Sequence, residues 1–248
     1  MSEKKFPFPA YFACCPYEQL LPDYSPEEEL EAVLAKDEVM NIMGLRNYYY
    51  LCGDVPAVLD RLWVQSPENR ATASFGSNFG FYIGWEEIQR YVRETWSRLD
   101  ISLESQTVNT PFIYVAFDRK TARGLWYSDG FVTDSRGNTD IISQKVAVDF
   151  ILEDDGWKIW HLVYGSDLVD ALHTDPIEGD YGMLGRLKEW FGSPTVACVT
   201  HDPNYNWNDN YPPEPEPYET FRWKDSYAPE GCPRYRQHMR EVRSHAKV

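Results

Sequence analysis

Two residues able to transfer a proton interrupt the apolar runs of the stretch QKVAVDFILEDDGWKIWHLVYGSDL. Asp149 lies in the first run and His161 in the second, and the runs predict two strands joined by a tight turn at residues 154–156. With a three-residue loop there, Glu153 pairs with Trp157 and Asp149 pairs with His161. Directly opposite residues have Cβ atoms about 5 Å apart, which suits a hydrogen bond.

The predicted pair has two interpretations. In the functional one, His161 is a general acid or base and Asp149 fixes its tautomer. In the structural one, the two polar groups satisfy each other on a partly buried face of a sheet. An error of one residue in the strand register would separate them altogether.

Three consecutive tyrosines, Tyr48, Tyr49 and Tyr50, stand near the end of a predicted helix. Consecutive helical residues point about 100° apart, so at most two of them face one pocket. We expect Tyr49, or alternatively Tyr48, to line the pocket and to stabilise negative charge on a substrate oxygen. The alternative is that Tyr49 and Tyr50 are core residues.

Other polar residues are candidates with equally plain structural alternatives. Asp129 falls within a predicted strand, where it is either catalytic or part of a bulge or turn at Asp129-Gly130. Asn109 either holds a substrate oxygen or occupies a strand edge before Pro111. Arg46 either binds a substrate carboxylate or phenolate or lies on the surface.

Aromatic residues make up 15% of the chain, which suggests a large pocket or an interface to cover. The aromatic residues that we consider for a pocket wall are Trp63, Phe81, Tyr82, Trp126 and Trp160. For any one of them, ordinary core packing is the alternative.

The order of the predicted elements indicates an α+β fold. Ser25-Pro26-Glu27-Glu28 starts a first helix, Val55-Pro56 opens a second, and a third is predicted over 85–99. From residue 105 onward the apolar period changes to that of strands, four of them long and antiparallel. Such a chain predicts a curved, mainly antiparallel sheet wrapped around three N-terminal helices.

The two ends of the chain differ in composition from its middle. We predict an N-terminal arm over 1–24, a main α+β domain over 25–170 and a C-terminal extension over 171–248 that packs on the domain or on a partner subunit. Within the extension, a short helix is expected near 184–190. The proline-rich segment at about 200–230 carries aromatic residues that would be costly to leave in solvent together, namely Tyr205, Trp207, Tyr211, Tyr218, Phe221 and Trp223.

Charge and composition exclude several classes of function. The net charge of −15 disfavours nucleic acids and anionic membrane surfaces as partners. The first residues have too short an apolar run for a signal peptide, and no segment is long enough to span a membrane. Five scattered cysteines give neither a disulfide framework nor a zinc motif, and the histidines lack metal-ligand spacing. We therefore expect a cytoplasmic protein without a metal or another cofactor.

The chain resembles the SnoaL-like branch of the nuclear transport factor 2-like (NTF2-like) superfamily. The stretches that carry the resemblance are IMGLRNYYYLCGD, GWEEIQRYV, NTPFIYVAFDRKTARGLWY and DFILEDDGWKIWH, within residues 36–168. The C-terminal PPEPEPYETF looks like an extension of larger bacterial members. Two positions depart from relatives that are dehydratases: Asn109 stands where they carry a histidine, and Leu51 or Cys52 where many members carry an aspartate.

The resemblance implies that the sheet and helices form a cone-shaped α+β barrel, with a cofactor-free pocket at the wide end of the cone. Members include polyketide cyclases, isomerases, dehydratases and other lyases, so the fold does not fix a reaction. The leading hypothesis is a lyase, dehydratase, isomerase or cyclase acting on a hydrophobic aromatic or polycyclic molecule, with His161, Asp149 and Tyr49 as its machinery. The alternative is a non-catalytic binding or scaffold module. In both cases we expect a homodimer or a higher homo-oligomer.

Overall fold

A computed structural model describes residues 24–171, 191–201 and 211–245. For residues 96–99 and 168–171 it describes the backbone only. The first helix, α1, spans Pro26–Leu51. Its start is fixed by a capping box, in which the Ser25 hydroxyl accepts a hydrogen bond from the Glu28 amide and the Glu28 carboxylate accepts one from the Ser25 amide. The predicted helix start at Ser25 is therefore confirmed.

Several short elements follow α1 before the long strands begin. They are α2 at Val55–Ala57, which continues as a π-helical turn over Val58–Leu62, then α3 at Pro67–Thr72, β1 at Ser74–Ser77, β2 at Gly80–Ile83 and α4 at Trp85–Leu99. Helix α4 has the predicted bounds. Helix α3 was not predicted, although Ser66 and Pro67 give it an ordinary capped start.

A curved sheet of seven strands forms the body of the molecule. Its remaining strands are β3 at Ile101–Val115, β4 at Thr121–Asp134, β5 at Thr139–Glu153, β6 at Gly156–Ala171 and the short β7 at Val196–Ala197. The order is β3-β4-β5-β6-β1-β2-β7, and every pair is antiparallel except β1 with β6. The predicted α+β class and the mainly antiparallel sheet are confirmed.

The two faces of the sheet are covered by different parts of the chain. The inner face packs against α1 and α4 in the main core, which includes Val146, Val148, Phe150 and Leu162. Strand residues that alternate with these point to the outer face. A second core on that face includes Leu125, Ala147, Val163, Tyr211 and Tyr227. The sheet is thus buried on both faces in this region, and the C-terminal residues 211–232 supply the outer cover.

The tail of the described chain ends in a helix, α5, at Pro233–His245. Close approach between the preceding segment and β6 depends on a glycine. A Cβ atom at Gly165 would stand 2.9 Å from Nδ1 of His201 and 3.0 Å from Cδ of Pro212. The predicted helix at 184–190, Tyr205, Trp207 and residues 1–23 lie outside the described residues.

The β5–β6 hairpin differs from the prediction at its turn. The loop has two residues rather than three, so Glu153 pairs with Gly156 and not with Trp157. A bulge at Trp160 then adds one residue to β6, and the register beyond it pairs Asp149 with His161 and Ala147 with Val163. The predicted pairing of Asp149 with His161 is therefore confirmed, and the predicted loop length was wrong.

Among the described helices, none is long and apolar enough to cross a membrane.

Candidate functional site

A partly open space, called here the inner cavity, lies between α1, α4 and the inner face of β3, β5 and β6. Its volume is about 60 Å³. The polar and ionisable residues on its wall are Arg46, Tyr50, Tyr91, Thr95, Glu104, Gln106, Gln144 and Tyr164. Apolar side chains, among them Trp63, Phe75 and Phe191, complete the wall. A few convergent polar groups in an otherwise apolar cavity are typical of a ligand site.

Arg46 contributes a buried positive charge to this cavity from the inner side of α1. Only 3% of the residue is exposed. Its guanidinium carbon lies 4.6 Å from the centre of the Tyr50 ring and 5.5 Å from that of Tyr164, so the cation contacts two aromatic faces. Arg46 Nη1 donates to Oδ1 of Asn47, whose Nδ2 donates to the backbone carbonyl of Gln106. This chain of bonds fixes the guanidinium relative to β3.

Glu104 contributes a buried carboxyl group from β3. It is 7% exposed, and burial raises the pKa of its carboxyl from 4.5 to about 7, an effect that the positive charge of Arg46 opposes through space. Gln106 Nε2 donates to Oε1 of Glu104 at 2.7 Å and holds the carboxyl in place. Since its pKa is near neutrality, this group can accept or donate a proton at physiological pH.

A row of polar side chains crosses the inner face of the sheet beside Glu104. Gln144 Nε2 donates to Oε1 of Gln106 at 3.3 Å, and the hydroxyl of Ser166 donates to Oε1 of Gln144 at 2.9 Å. The hydroxyl of Ser128 also reaches Oε1 of Gln106, at 3.4 Å. Because each amide is held by its neighbour, the amide of Gln106 stays oriented towards Glu104.

Two tyrosines on the wall keep their protons. Burial raises the pKa of Tyr50, and the charge of Arg46 partly offsets this effect. Burial likewise raises the pKa of Tyr91, with Tyr50 and Tyr82 adding to the rise. Both phenols are therefore neutral hydrogen-bonding groups at physiological pH and not bases.

Some residues predicted to bind substrate do reach the inner cavity. Arg46 and Trp63 line it, and the surface position considered for Arg46 is excluded. Tyr82 and Trp126 do not line it. Both are buried, and the ring of Tyr82 lies tilted against that of Phe75 while Trp126 packs edge-on against Phe150. These two residues are core, which was the alternative interpretation.

The three consecutive tyrosines are placed differently from the prediction. Tyr50 lines the cavity, whereas Tyr49 and Tyr48 do not. Tyr49 accepts a hydrogen bond from Arg61 through its hydroxyl, and Tyr48 is 60% exposed. The helix phase explains the correction, because Tyr50 falls four residues after Arg46 and shares its face.

Asp129 and Asn109 both lie away from the inner cavity. Asp129 is exposed on the outer face of β4, where it accepts a hydrogen bond from the Ser143 hydroxyl at 2.7 Å. Asn109 is exposed at a bulge of β3 and donates to the Thr107 hydroxyl. Neither residue lines the inner cavity, and Asp129 instead lines a separate open depression of about 780 Å³ beside Phe131 and Ile141. The roles predicted for Asp129 and Asn109 therefore stay predictions.

The Asp149–His161 pair lies on the outer face of the sheet, opposite to the inner cavity. Nδ1 of His161 stands 3.0 Å from Oδ2 of Asp149, and Nε of Arg123 donates to Oδ1 at 3.1 Å. All three side chains are at most 5% exposed. Nε2 of His161 and Nη2 of Arg123 have no hydrogen-bond partner among the described residues.

The C-terminal segment covers this outer cluster. The Tyr227 amide donates to Oδ2 of Asp149 at 2.7 Å. The rings of Phe221 and Trp223 lie 5.9 Å and 5.5 Å from the imidazole of His161, measured between ring centres. Tyr218 presents its ring to the Arg123 guanidinium at 4.3 Å. Asp149 therefore ties the segment to the sheet, and His161 is enclosed by it.

Sequence reasoning missed Glu104, Gln106 and Gln144. In β3, Glu104 and Gln106 alternate with Leu103, Ser105 and Thr107, so the sequence shows a strand without a clear apolar face. The sequence feature that could have revealed the site was the carboxyl of Glu104, two residues before the amide of Gln106. The position of α1 was needed to decide that these alternate residues of β3 face inward.

Within residues 24–171, 191–201 and 211–245, no group of three or more His, Cys, Asp or Glu side chains is arranged to hold a metal ion.

Several solved structures are similar to this chain in fold. A hexachlorocyclohexane dehydrochlorinase (LinA type 2) aligns with a TM-score of 0.49 and 11% identity, over 61% of this chain and 99% of that one. An NTF2-like superfamily protein from Salmonella enterica serovar Typhimurium LT2 aligns with a TM-score of 0.47 and 20% identity, over 60% and 99%. A Novosphingobium aromaticivorans protein provisionally described as a scytalone dehydratase aligns with a TM-score of 0.48 and 13% identity, over 63% and 99%.

No protein-family model matches the chain, and no curated protein matches it in sequence. The described residues have the α+β architecture that the sequence resemblance implied, with helices packed in the curve of a mainly antiparallel sheet. Similarities at these identities concern the fold alone and carry no argument about activity.

Proposed function

We propose that the inner cavity is the site of a cofactor-independent acid–base reaction on a small molecule, an elimination or an isomerisation. The observation that carries the proposal is the pairing, in one apolar cavity, of the buried Glu104 carboxyl with the buried Arg46 guanidinium. These two groups do not neutralise each other in a direct ion pair. A substrate placed between them meets a proton acceptor on one side and a positive charge on the other.

The roles follow from the charges. The Glu104 carboxylate removes a proton from a substrate carbon, and Gln106 keeps the carboxyl oriented. Arg46 stabilises the negative charge that develops on a substrate oxygen or on a leaving group. Tyr50, neutral and beside Arg46, supplies a second donor to the same charge. In an elimination the electron pair of the broken C–H bond forms the new double bond, and the leaving group departs towards Arg46.

The volume of the cavity limits the substrate. About 60 Å³ is well below the roughly 150 Å³ of a cavity that holds benzene. The aromatic or polycyclic substrate expected from the sequence therefore does not fit the cavity as it stands. We propose that the reacting part of the substrate has only a few heavy atoms, or that the wall at Phe191 moves to admit a larger one.

The proposal is tested by proton exchange at carbon, which needs no knowledge of the final product. The protein is incubated in D₂O with a panel of small ketones, hydroxy acids and halogenated acids, and loss of C–H signal is followed by NMR. Wild-type protein should exchange at least one class, and Glu104→Gln should slow that exchange by about 10²-fold or more. Asp129→Asn, which alters an exposed carboxylate, is the matched control and should behave as wild type.

A non-catalytic binding module remains the second candidate, and one observation favours it. The only carboxylate–histidine pair predicted to be catalytic, Asp149 with His161, is sealed on the far side of the sheet. If panel compounds raise the melting temperature yet none exchanges a proton, the binding module is the correct function. Exchange that is equally fast in Glu104→Gln would also reject the acid–base proposal.

A further inference from the structure

Helix α1 carries a second apolar face, whose side chains are exposed and which the described residues leave uncovered. The side chains on it, called here the outer stripe, are those of Leu30, Val33, Leu34, Leu45, Tyr48 and Leu51. Each is between 44% and 62% exposed. At 100° per residue, the six fall within an arc of about 120°, three of them near each end of the helix; the exposed polar residues Asp37 and Asn41 lie in the same arc between these two groups.

The outer stripe is distinct from the face that packs on the sheet. Val39, Met43 and Arg46 point to the opposite side of α1 and are at most 3% exposed. A helix that needs only one core contact carries polar residues on its other side. Apolar residues on two opposite sides of α1 therefore indicate two packing partners, of which the sheet is one.

The size of the stripe matches half of a stable dimer interface. Six large side chains about half exposed leave on the order of 500 Å² of apolar surface in solvent, near the upper end for a monomer. A standard interface buries roughly 800 Å² per partner, of which somewhat over half is apolar. Gly44, at the edge of the stripe, has open space where a side chain would be, so a second helix can come close.

The charges of α1 select the orientation of the partner. Glu27, Glu28, Glu29 and Glu31 lie in its first turns, and its last turn carries no basic residue. A parallel pair would set these acidic turns side by side, whereas an antiparallel pair separates them. A two-fold axis near the middle of the stripe also makes the contact self-complementary, with Leu30 opposite the partner's Leu51.

We propose that the outer stripe is the interface of a homodimer, in which α1 packs antiparallel against α1 of a second copy of this chain. The outer face of the sheet is not free for that purpose over its centre, because the chain's own C-terminal segment covers it there. The dimer contact would then lie directly behind Arg46 and Tyr50, which line the inner cavity from the other side of the helix.

Sedimentation velocity at micromolar concentrations tests the proposal on the full chain. Wild type should sediment as a dimer, and Leu34→Glu and Tyr48→Glu should each raise the dissociation constant by about tenfold or more. Both positions are exposed, and circular dichroism verifies that the variants are folded. Phe131→Glu on the sheet and Val242→Glu on α5 alter equally exposed apolar residues and should leave the dimer intact.

Cross-linking then tests the orientation, in a Cys52→Ser background. Leu30→Cys combined with Leu51→Cys should form a disulfide between chains, and neither single variant should. Cross-linking of a single variant shows a parallel pair and overturns the antiparallel arrangement. A monomer in every sample, or a dimer that only Phe131→Glu dissociates, overturns the interface itself.

Discussion

Nδ1 of His161 lies 3.0 Å from Oδ2 of Asp149, on the side of the sheet that faces away from Glu104. The geometry is that of a catalytic pair, but the surroundings are those of a structural one. The Arg123 guanidinium balances the negative charge of Asp149 and donates to its Oδ1. The Tyr227 amide donates a hydrogen bond to Oδ2 of the same carboxylate. A polar cluster enclosed in this way specifies how the C-terminal segment seats on the sheet.

His161→Ala should leave catalysis unchanged and lower stability. The imidazole lies on the outer face of the sheet and does not line the inner cavity, so proton exchange should proceed at the wild-type rate. Loss of its packing against Trp160 and Phe221 should cost about 2–4 kcal/mol in the free energy of unfolding, measured in urea. A large loss of exchange activity in a folded variant would restore His161 as a catalytic residue.

Asp149→Asn should destabilise the protein more than its small change in shape suggests. It leaves the Arg123 guanidinium, 5% exposed, without a counter-charge, and breaking a buried pair costs about 3–5 kcal/mol. Hydrogen exchange at the Tyr227 amide should become faster at the same time. Asp129→Asn should change the free energy of unfolding by less than about 0.5 kcal/mol.

Glu104→Gln should change how stability depends on pH. Because the folded pKa of about 7 exceeds the usual 4.5, the folded chain holds a proton between these values that the unfolded chain has released. Stability from this group is therefore complete below about pH 4.5 and falls as pH rises to 7, by about 3 kcal/mol. As the pH rises from about 4.5 to 7, the free energy of unfolding of Glu104→Gln should therefore increase relative to that of the wild type. Urea unfolding at several pH values measures the difference, and a difference independent of pH would contradict the assignment.

Arg46→Met should raise the pKa of Glu104 further above about 7. The guanidinium now favours the charged carboxylate, and the substitution removes that charge while keeping an apolar side chain of similar length. A ¹³C NMR titration of the glutamate carboxyl carbons follows the shift. Arg136→Met, at an exposed ion pair, should leave the Glu104 titration unchanged. An unaltered pKa in Arg46→Met would show that burial alone sets it.

Helices and strands with strong local sequence signals could be predicted. Which strand residues point to the inner face of the sheet, and which to the outer face, could not. The Ser25 cap and the period of α4 depend on neighbouring residues, so their bounds followed from the sequence. The pairing of Asp149 with His161 came out correctly because the bulge at Trp160 offsets the shorter turn, a cancellation that no local pattern shows.

The side on which that pair lies depends on contacts between distant parts of the chain. Alternation along β5 gives two sets of residues, and both are buried, one by α1 and the other by residues 211–232. A pattern that distinguishes covered from solvent-facing residues cannot separate two covered faces. Glu104 was overlooked for a different reason, because polar residues occupy both faces of its strand and no apolar alternation marks the inner one.

The hydrogen bond from Tyr227 to Asp149 joins residues that are 78 positions apart. During synthesis the strands β3 to β6 emerge and can pair well before the residue that closes over Asp149 exists. Until then the nascent sheet presents Val163, Ala147 and a charged pair to the surroundings, a surface on which chaperones or proteases can act. Completion of the C-terminal segment removes that surface, so the same contact that seats the segment also distinguishes a finished chain from an interrupted one.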